Sequence, residues 1–360
     1  MNFIKNIDRK LLKRFGIIIG IIVILFIILI IFLLISGSRL SYKDIESKMI
    51  SAAKEYYSDN TKELPKTDNG VVSVSADKLA EGKYMKSLDK LVKNKSAICS
   101  GQVMVTKNGE HLLYSATLNC GENYETKKLK DLLVENVVES GNGIYKIGES
   151  YVFRGDNVNN YVSFADKLWR ILRINPDGTI RMIETTKRDI VQWDNRYNSE
   201  KKDTVGINDY NVSRIKDYIS ETYDEFDESS KAYLMKYNLC IGKRSENETN
   251  NDGSIECSQT LENQDLGLIL VNEYVLASLS DKCKAPEDRE CTNYNYLSDF
   301  NSMWTLTADK NTSQKVYKIS DEAFLTNAAN YSQIKLVVHI NSQVNYVAGD
   351  GTEENPYTFN

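Results

Sequence analysis

The chain has 360 residues, of which 45 are basic and 50 acidic, so its formal net charge is −5 at pH 7. Nucleic-acid binding by phosphate neutralisation needs clustered Lys and Arg, and no such basic stripe occurs along the sequence. The charge balance therefore argues against a nucleic-acid-binding protein.

The first 35 residues predict a membrane anchor. Phe15 to Ile35 is an uninterrupted apolar run, and at about 1.5 Å per residue it spans roughly 30 Å, the hydrocarbon thickness of a bilayer. The preceding stub, 1–14, holds five bases and one acid. This bias predicts a single-pass protein of the cell membrane, with a cytoplasmic N-terminus and extracellular domains after Ser36. The alternative is a cleaved secretory signal ending near "SGSR" (36–39), whose apolar core would normally be only about 7–15 residues long.

Residues 40–126 predict a small, membrane-proximal α+β module. Apolar residues recur at helical spacing from Tyr42 to Tyr57 and predict an amphipathic helix. Turn signals follow in 62–70, and then a short strand and a helix that Ser75 would cap. The next segment, 102–118, predicts a hairpin around Lys-Asn-Gly.

Six cysteines lie after the apolar run, and they fall into sequence-local pairs: Cys99 with Cys120, Cys240 with Cys257, and Cys283 with Cys291. In an oxidising compartment each pair would close a loop, and a loop of about 15 residues gains roughly 3 kcal/mol on the chain-entropy model. Fifteen connectivities are possible, and locality favours the nearest-neighbour set. Zinc is the alternative, but His111 and His339 lie near no cysteine pair. The sequence therefore predicts disulfides, no metal site and no cofactor.

The N-terminal part resembles a type IV pilin or pseudopilin. "KRFG" resembles a prepilin-peptidase site with cleavage after Gly16, the apolar run leads into an amphipathic helix, and a cysteine pair flanks the hairpin. Pilins carry a glutamate five residues after the cut, where this chain has Ile21. The resemblance therefore implies pilin-like architecture more than polymerisation, with assembly into a surface complex as a possible role.

Residues 127–144 predict a short helix and a linker, and 145–360 form the larger predicted domain. "KLWRILRINPDGTIRMIE" (167–184) predicts a β-hairpin, because proline pre-sets φ for a turn and Gly178 can adopt the positive φ that closes a tight hairpin. Trp169 lies in one of its strands and is expected in the core. The other predicted elements are helices at 208–226 and 229–239, a strand leading into a helix at 266–279, and strands at 302–307 (with Trp304, also expected in the core), 315–320 and 334–344.

Five segments of this domain follow, in order, the pattern of a C-type-lectin-like module: "WRILRINPDGTIRMI", "LCIGKR…C", "LGLILVNEYVLAS", "MWTLT" and "VVHINSQVNYVAGDGTEENPYTF". The domain resembles this family, which is related in outline to the formylglycine-generating-enzyme fold and is common in surface proteins of Firmicutes. The resemblance implies chain ends that meet in one sheet, two helices packed on it, and long loops that carry any binding. The predicted fold class is α+β: a transmembrane helix, a pilin-like module and a lectin-like head.

The sequence predicts that the protein is not an enzyme. With all six cysteines paired, none is left as a nucleophile beside a histidine, and "DKCKAPEDREC" (281–291) predicts a structural staple. Gly-rich phosphate loops, H-E-x-x-H and G-x-S-x-G do not occur in the sequence. The Glu-Pro-Asn and Gln-Pro-Asp motifs, through which lectins of this fold bind sugar by way of Ca²⁺, do not occur either.

An aromatic-rich polar loop is the predicted ligand-binding surface, formed by Trp193, Asp194, Asn195, Tyr197 and Tyr210. Aromatic residues in such loops often serve recognition, and packing is the alternative role for them. The predicted function is a membrane-anchored bacterial cell-surface binding or adhesion protein whose partner is a surface protein or a glycan. The alternatives are a minor pilin or pseudopilin-type subunit and a membrane-anchored ectoenzyme.

Overall fold

The computed structural model describes residues 19, 40–94, 96–300 and 302–360. Within these residues, no helix is both long and apolar enough to cross a membrane. The predicted cytoplasmic stub and the predicted anchor from Phe15 to Ile35 lie outside the described residues, with the exception of Ile19. The absence of such a helix from the described residues contradicts the predicted localisation, a single-pass protein of the cell membrane.

The chain divides into two compact units whose segments interleave along the sequence. Unit 1 contains the described residues up to Asp59 together with 74–103 and 116–125. Unit 2 contains 60–73, 104–115 and 126–360.

Unit 1 contains the amphipathic helix that the sequence predicts. Helix α1 (Tyr42–Asp59) has one apolar face because its apolar residues recur at intervals of three and four. The buried apolar side chains of this helix are Ile45, Met49, Ala52, Ala53, Tyr56 and Tyr57. Two short helices follow, α2 (Ala76–Glu81) and α3 (Leu88–Leu91). The Ser75 side chain caps α2, as predicted, by accepting the Lys78 N–H at 3.1 Å.

Three strands, β1 (Val71–Ser75), β2 (Ser100–Asn108) and β3 (His111–Asn119), form a sheet in that order. The hairpin predicted over 102–118 is therefore present. Gly109 at its turn has φ +58°, a conformation that glycine adopts without steric cost.

The helices of unit 2 are short: α4 (Leu129–Val134), α5 (Arg214–Glu221), α6 (Glu228–Lys231) and α7 (Val271–Ala277). The strands that lie wholly within unit 2 are β4 (Gly143–Ile147), β5 (Ser150–Arg154), β6 (Tyr161–Phe164), β7 (Lys167–Ile174), β8 (Ile180–Glu184), β9 (Ile190–Gln192), β10 (Tyr237–Cys240), β11 (Thr260–Gln264), β12 (Leu266–Gly267), β13 (Met303–Ala308), β14 (Lys315–Ile319), β15 (Ala323–Asn327), β16 (Tyr331–Gln333), β17 (Val337–Ile340), β18 (Tyr346–Ala348) and β19 (Thr358–Phe359).

Seven of these strands form the main sheet, in the order β12-β17-β8-β7-β5-β4, with β6 also paired to β7. The hairpin predicted over 167–184 lies at its centre, where β7 and β8 are antiparallel. The Asn175 N–H donates to the Thr179 carbonyl at 2.9 Å, and Gly178 has φ +81°. The prediction of this hairpin from its turn residues is confirmed.

Five strands form a second sheet, in the order β15-β14-β13-β16-β9. The pair β13–β16 is parallel, whereas β13–β14, β14–β15 and β16–β9 are antiparallel. Trp169 on β7 and Trp304 on β13 are fully buried, as predicted for both, and belong to one apolar cluster. The two sheets therefore share a core.

The predicted α+β fold class with a membrane-spanning helix is wrong, because sheet predominates over helix in the described residues: strands hold 33% of them and helices 24%. The segment 208–226, predicted as one helix, contains only the eight-residue α5 between two single 3₁₀ turns. The segment 229–239 forms the four-residue α6 and then enters β10. In 208–226, apolar residues at helical spacing also fit a short helix flanked by turns. In 229–239, strand pairing of Leu239 with Leu261 overrides the local helical pattern.

The three disulfides join nearest neighbours, as the sequence predicts: Cys99–Cys120, Cys240–Cys257 and Cys283–Cys291. All six cysteines are paired, so no free thiol remains. Each bridge closes a short loop, which reduces the conformational freedom of the unfolded chain.

Candidate functional site

The five residues predicted to bind a ligand do not form one surface. Trp193, Asp194 and Tyr210 are buried, whereas Asn195 and Tyr197 are exposed. The loop therefore offers a ligand one amide and one phenol. The packing alternative describes the buried aromatic residues better than recognition does.

Trp193 packs against the second sheet and has a structural role. Its indole N–H donates to the Thr305 carbonyl on β13 at 3.2 Å, and its ring lies 6.2 Å from that of Tyr210. In the opposite direction, the indole N–H of Trp304 donates to the Val191 carbonyl at 2.9 Å. This exchange of hydrogen bonds fixes the start of the loop against β13.

Asp194 uses its carboxylate to hold the same loop. One oxygen accepts the Ile207 N–H at 2.7 Å. The other accepts the Arg214 N–H at 3.2 Å and Nε of Arg196 at 2.9 Å. With both oxygens occupied by the loop, Asp194 positions the backbone and is not exposed to a ligand.

The polar loop 243–256 is organised by the buried guanidinium of Arg244. Its Nη1 donates to the Asn250 carbonyl at 3.0 Å and to the Glu256 carboxylate at 2.9 Å, and its Nη2 donates to the Glu248 carbonyl at 2.5 Å. Carbonyl and carboxylate oxygens are the ligands that hard cations prefer. Here a guanidinium occupies these oxygens, although Nε of Arg244 and Oε2 of Glu256 are buried without a hydrogen-bond partner.

A second buried polar cluster lies on the main sheet. Arg181 donates from Nε and Nη2 to the two Glu273 oxygens at 2.6 and 3.0 Å, and from Nη1 to Nε2 of His339 at 3.0 Å. The imidazole stacks on the Tyr237 ring, with 3.7 Å between centroids. Burial, together with the charges of Arg181 and Arg173, holds the pKa of His339 well below its ordinary value. The neutral ring accepts a hydrogen bond within the core, and the cluster is structural.

A cavity of about 640 Å³ lies where the main sheet ends at β4. Helix α4, β4 and the Asn-rich segment after β5 wall it on one side, and the turn between β18 and β19 walls it on the other. Its lining residues are Leu132, Leu133, Asn136, Val138, Asn142, Gly143, Ile144, Phe153, Asn157, Val158, Asn159, Tyr346, Gly349, Asp350 and Tyr357. The volume falls within the roughly 300–1,000 Å³ of known ligand clefts.

Two glycines allow the C-terminal turn to approach this wall closely. Gly349 and Gly351 have φ values of +96° and +80°. A Cβ on Gly351 would lie 2.3 Å from a ring carbon of Tyr357 and 2.5 Å from the Asn159 carbonyl. The Tyr346 hydroxyl closes the turn by donating to the Gly349 carbonyl at 2.9 Å. The wall is therefore held in place before any ligand arrives.

The cavity carries one negative charge on its lining. The Thr352 hydroxyl and N–H donate to the Asp350 carboxylate at 2.7 and 3.1 Å, and these bonds lower the pKa of Asp350. Burial raises the pKa of Tyr357, which is therefore a neutral phenol at pH 7. The lining thus combines an acceptor-only carboxylate with a neutral aromatic ring.

The amides of the lining divide into two kinds. Asn136 donates to the Leu132 carbonyl at 2.9 Å, and Asn142 accepts from a backbone N–H. Asn157 and Asn159 are exposed, and in the described part of the chain their side chains make no hydrogen bond. Each of these two amides keeps its donors and its acceptor available.

Sequence reasoning missed this cavity. The Asn-rich run "GDNVNN" (155–160) was a weak local signal, but its partner, the turn at 349–357, is distant in sequence. The Tyr161 N–H donates to the Gly351 carbonyl at 2.8 Å and brings the two together. Such a tertiary contact is not visible in either segment alone.

The chemistry of this cavity is the main functional evidence in unit 2. In the part of the chain that the structure describes, no group of three or more His, Cys, Asp or Glu side chains is placed to hold a metal ion.

The pilin-like and lectin-like resemblances stay predictions. Comparison with protein-family models, with curated proteins and with solved structures found no match.

Proposed function

We propose that the chain is a ligand-binding protein and not an enzyme, and that the cavity beside β4 binds a glycan. The observation that carries this proposal is the composition of the cavity: two tyrosine rings, two amides without internal partners and an ionised carboxylate around about 640 Å³. The proposed role in adhesion is recognition of a glycan-bearing partner.

The lining matches the surface of a sugar. Sugar hydroxyls both donate and accept hydrogen bonds, and the amides of Asn157 and Asn159 offer both functions. The carboxylate of Asp350 accepts from hydroxyls more strongly than a neutral group does. The rings of Tyr346 and Tyr357 lie 6.3 Å apart at 74°, so they face different directions and one can pack on the C–H face of a sugar ring.

The fixed shape of the cavity also supports binding. Its C-terminal wall depends on two glycines with positive φ and on the Tyr346 hydroxyl bond. A wall that is already ordered loses little conformational freedom when a ligand binds.

The lining favours binding over hydrolysis. Most glycosidases use two carboxyl groups, one on each side of the scissile bond. Among the described residues that line the cavity, Asp350 is the one carboxylate. The three disulfides are compatible with an oxidising setting.

A glycan array probed with the full chain tests the proposal, followed by calorimetric titration of the glycan that gives the strongest signal. In the double variant Asn157→Ala/Asn159→Ala we expect affinity to fall about tenfold or more, since each lost hydrogen bond contributes roughly 0.5–1.5 kcal/mol. Asp350→Asn keeps the shape of the side chain and removes its charge, and it should also weaken binding.

The matched control is Asn195→Ala/Tyr197→Ala in the loop that the sequence predicted as the site. Both residues are exposed, and this control should bind as the parent does. Loss of binding in the control with retention in the cavity variants would move the site to the loop. An array without any signal would contradict the glycan proposal.

A further inference from the structure

Unit 1 contains a second cavity, of about 520 Å³, that is lined mainly by basic side chains. Four of its lining residues are lysines: Lys48, Lys83, Lys86 and Lys90. Lys48 lies on α1 and Lys90 on α3, whereas Lys83 and Lys86 lie in the segment that connects α2 to α3. Ser87 and the buried Met85 lie among them. The unit thus gathers four positive charges from separate segments around one space.

The backbone that carries these lysines is fixed by its own contacts. Lys83 has φ +64° and donates its N–H to the Ala80 carbonyl at 3.0 Å. The next residue, Tyr84, donates its N–H to the Leu79 carbonyl at 2.9 Å and its hydroxyl to Asp59 at 3.0 Å. A defined loop therefore places Lys83 beside the cavity, while helices α1 and α3 carry Lys48 and Lys90.

The charges of this cavity have no internal counterpart. Within residues 40–94, 96–300 and 302–360, none of the four ammonium groups makes an ion pair or a hydrogen bond with the protein. The acids nearest in sequence, Glu46, Glu81 and Asp89, do not line the cavity. Four like charges around one space repel one another, and a bound anion would relieve this repulsion.

We infer that this cavity binds a compact anion that carries two or more phosphate groups. Each ammonium offers three donors and no acceptor, and lysine binds phosphate as a point charge. The Ser87 hydroxyl adds a neutral donor. A single phosphate carries a charge of about −2 and would neutralise only part of the four ammonium charges, whereas an extended nucleic acid would be repelled by a chain of net charge −5. This inference concerns unit 1 and is independent of the glycan proposal.

Calorimetric titration of the full chain with tripolyphosphate at low salt tests the inference, with orthophosphate and sulfate as single-anion probes. We expect saturable binding of tripolyphosphate, weaker binding of both single anions, and loss of affinity as salt screens the charges. In Lys83→Gln/Lys86→Gln the dissociation constant should rise about tenfold, the combined effect of two exposed charge contacts.

The matched control is Lys201→Gln/Lys202→Gln in unit 2, where Lys202 is also exposed and has φ +56°. It should bind tripolyphosphate as the parent does. Near-ultraviolet circular dichroism of each variant separates lost binding from lost folding. Absence of binding, equal affinity for orthophosphate, or equal loss in both double variants would overturn the inference.

Discussion

Unit 2 contains two kinds of polar region, which differ in whether their polar side chains are paired with one another or open to solvent. Around Arg244 and around Arg181, charged groups are buried and direct their donors and acceptors at one another. Around the cavity beside β4, the amides of Asn157 and Asn159 are exposed and have no partner within the described residues. The first kind is closed to a ligand, and the second is open to one.

The difference shows which polar residues the fold itself requires. A charge can be buried only when a partner compensates its lost hydration. Removing one member of a closed cluster should therefore lower stability, whereas removing an open amide should leave stability unchanged and affect only binding. Four predictions test this division, from the largest expected effect to the smallest.

The largest effect is expected for Arg244→Met. The substitution leaves the Glu256 carboxylate buried without its cation, which typically costs roughly 3–5 kcal/mol of unfolding free energy. Burial already raises the pKa of Glu256. Without Arg244 that carboxyl would take up a proton in the folded state, so the stability deficit should be smaller at pH 5 than at pH 7.

Urea unfolding of the variant and the parent at both pH values measures this deficit. The double variant Arg244→Met/Glu256→Leu removes both charges and should recover part of the lost stability. A deficit below about 1 kcal/mol at pH 7, in the range of an exposed pair, would show that the cluster does not hold the loop.

The next effect concerns the loop that the sequence predicted as a binding site. Trp193→Ala removes a fully buried ring and its hydrogen bond to Thr305, and such truncations typically cost about 3–5 kcal/mol. Tyr197→Ala in the same loop removes an exposed ring and should change stability by less than about 0.5 kcal/mol. Thermal unfolding of the two variants compares them, and similar losses would contradict the burial of Trp193.

Trp193 also shows which features of the fold cannot be predicted from local sequence. Pro176 and Gly178 predict the hairpin at the centre of the main sheet because turn chemistry is local. The packing of Trp193 depends instead on Thr305 of β13, which no pattern near the loop reveals. Local signals predicted the disulfides and helix α1, whereas the balance of helix and strand depended on long-range pairing.

The cavity beside β4 was beyond sequence analysis for the same reason. Its two walls meet through the hydrogen bond from Tyr161 to the Gly351 carbonyl. The glycines of the C-terminal turn predict a turn, but not that Tyr357 and Asn159 lie against it. Only the tertiary structure shows that the Asn-rich run faces that turn.

A smaller effect is expected on the pH dependence of stability, because of His339. Its folded-state pKa lies well below the ordinary value of 6.5 because of burial and the neighbouring arginines. The unfolded chain therefore binds a proton that the folded chain does not. This contribution to stability is complete above pH 6.5 and is lost as the pH falls, by up to about 1.4 kcal/mol per pH unit.

Chemical unfolding between pH 7.5 and pH 5 measures this slope. In His339→Gln the histidine contribution is gone, so the variant should be less stable than the parent at neutral pH, and the gap should narrow as the pH falls. Parallel curves for the two proteins would show that His339 is protonated in the folded state as readily as in the unfolded state.

The smallest effects on stability are expected for the two exposed amides of the Asn-rich run, which lie beside a buried one. Asn160 is fully buried, accepts from Nε of Arg170 at 2.8 Å and donates to the Ile171 carbonyl at 2.7 Å. Asn160→Ala removes both hydrogen bonds, leaves Nε of the buried Arg170 without its acceptor, and should cost about 1–3 kcal/mol. Asn157→Ala and Asn159→Ala remove exposed amides and should each change the unfolding free energy by less than about 0.5 kcal/mol. Urea unfolding of the three single variants makes the comparison, and because their side chains are identical, only their surroundings can separate them. Equal losses at all three positions would mean that the run is structural throughout, and the cavity would then lose the two amides on which its proposed role depends.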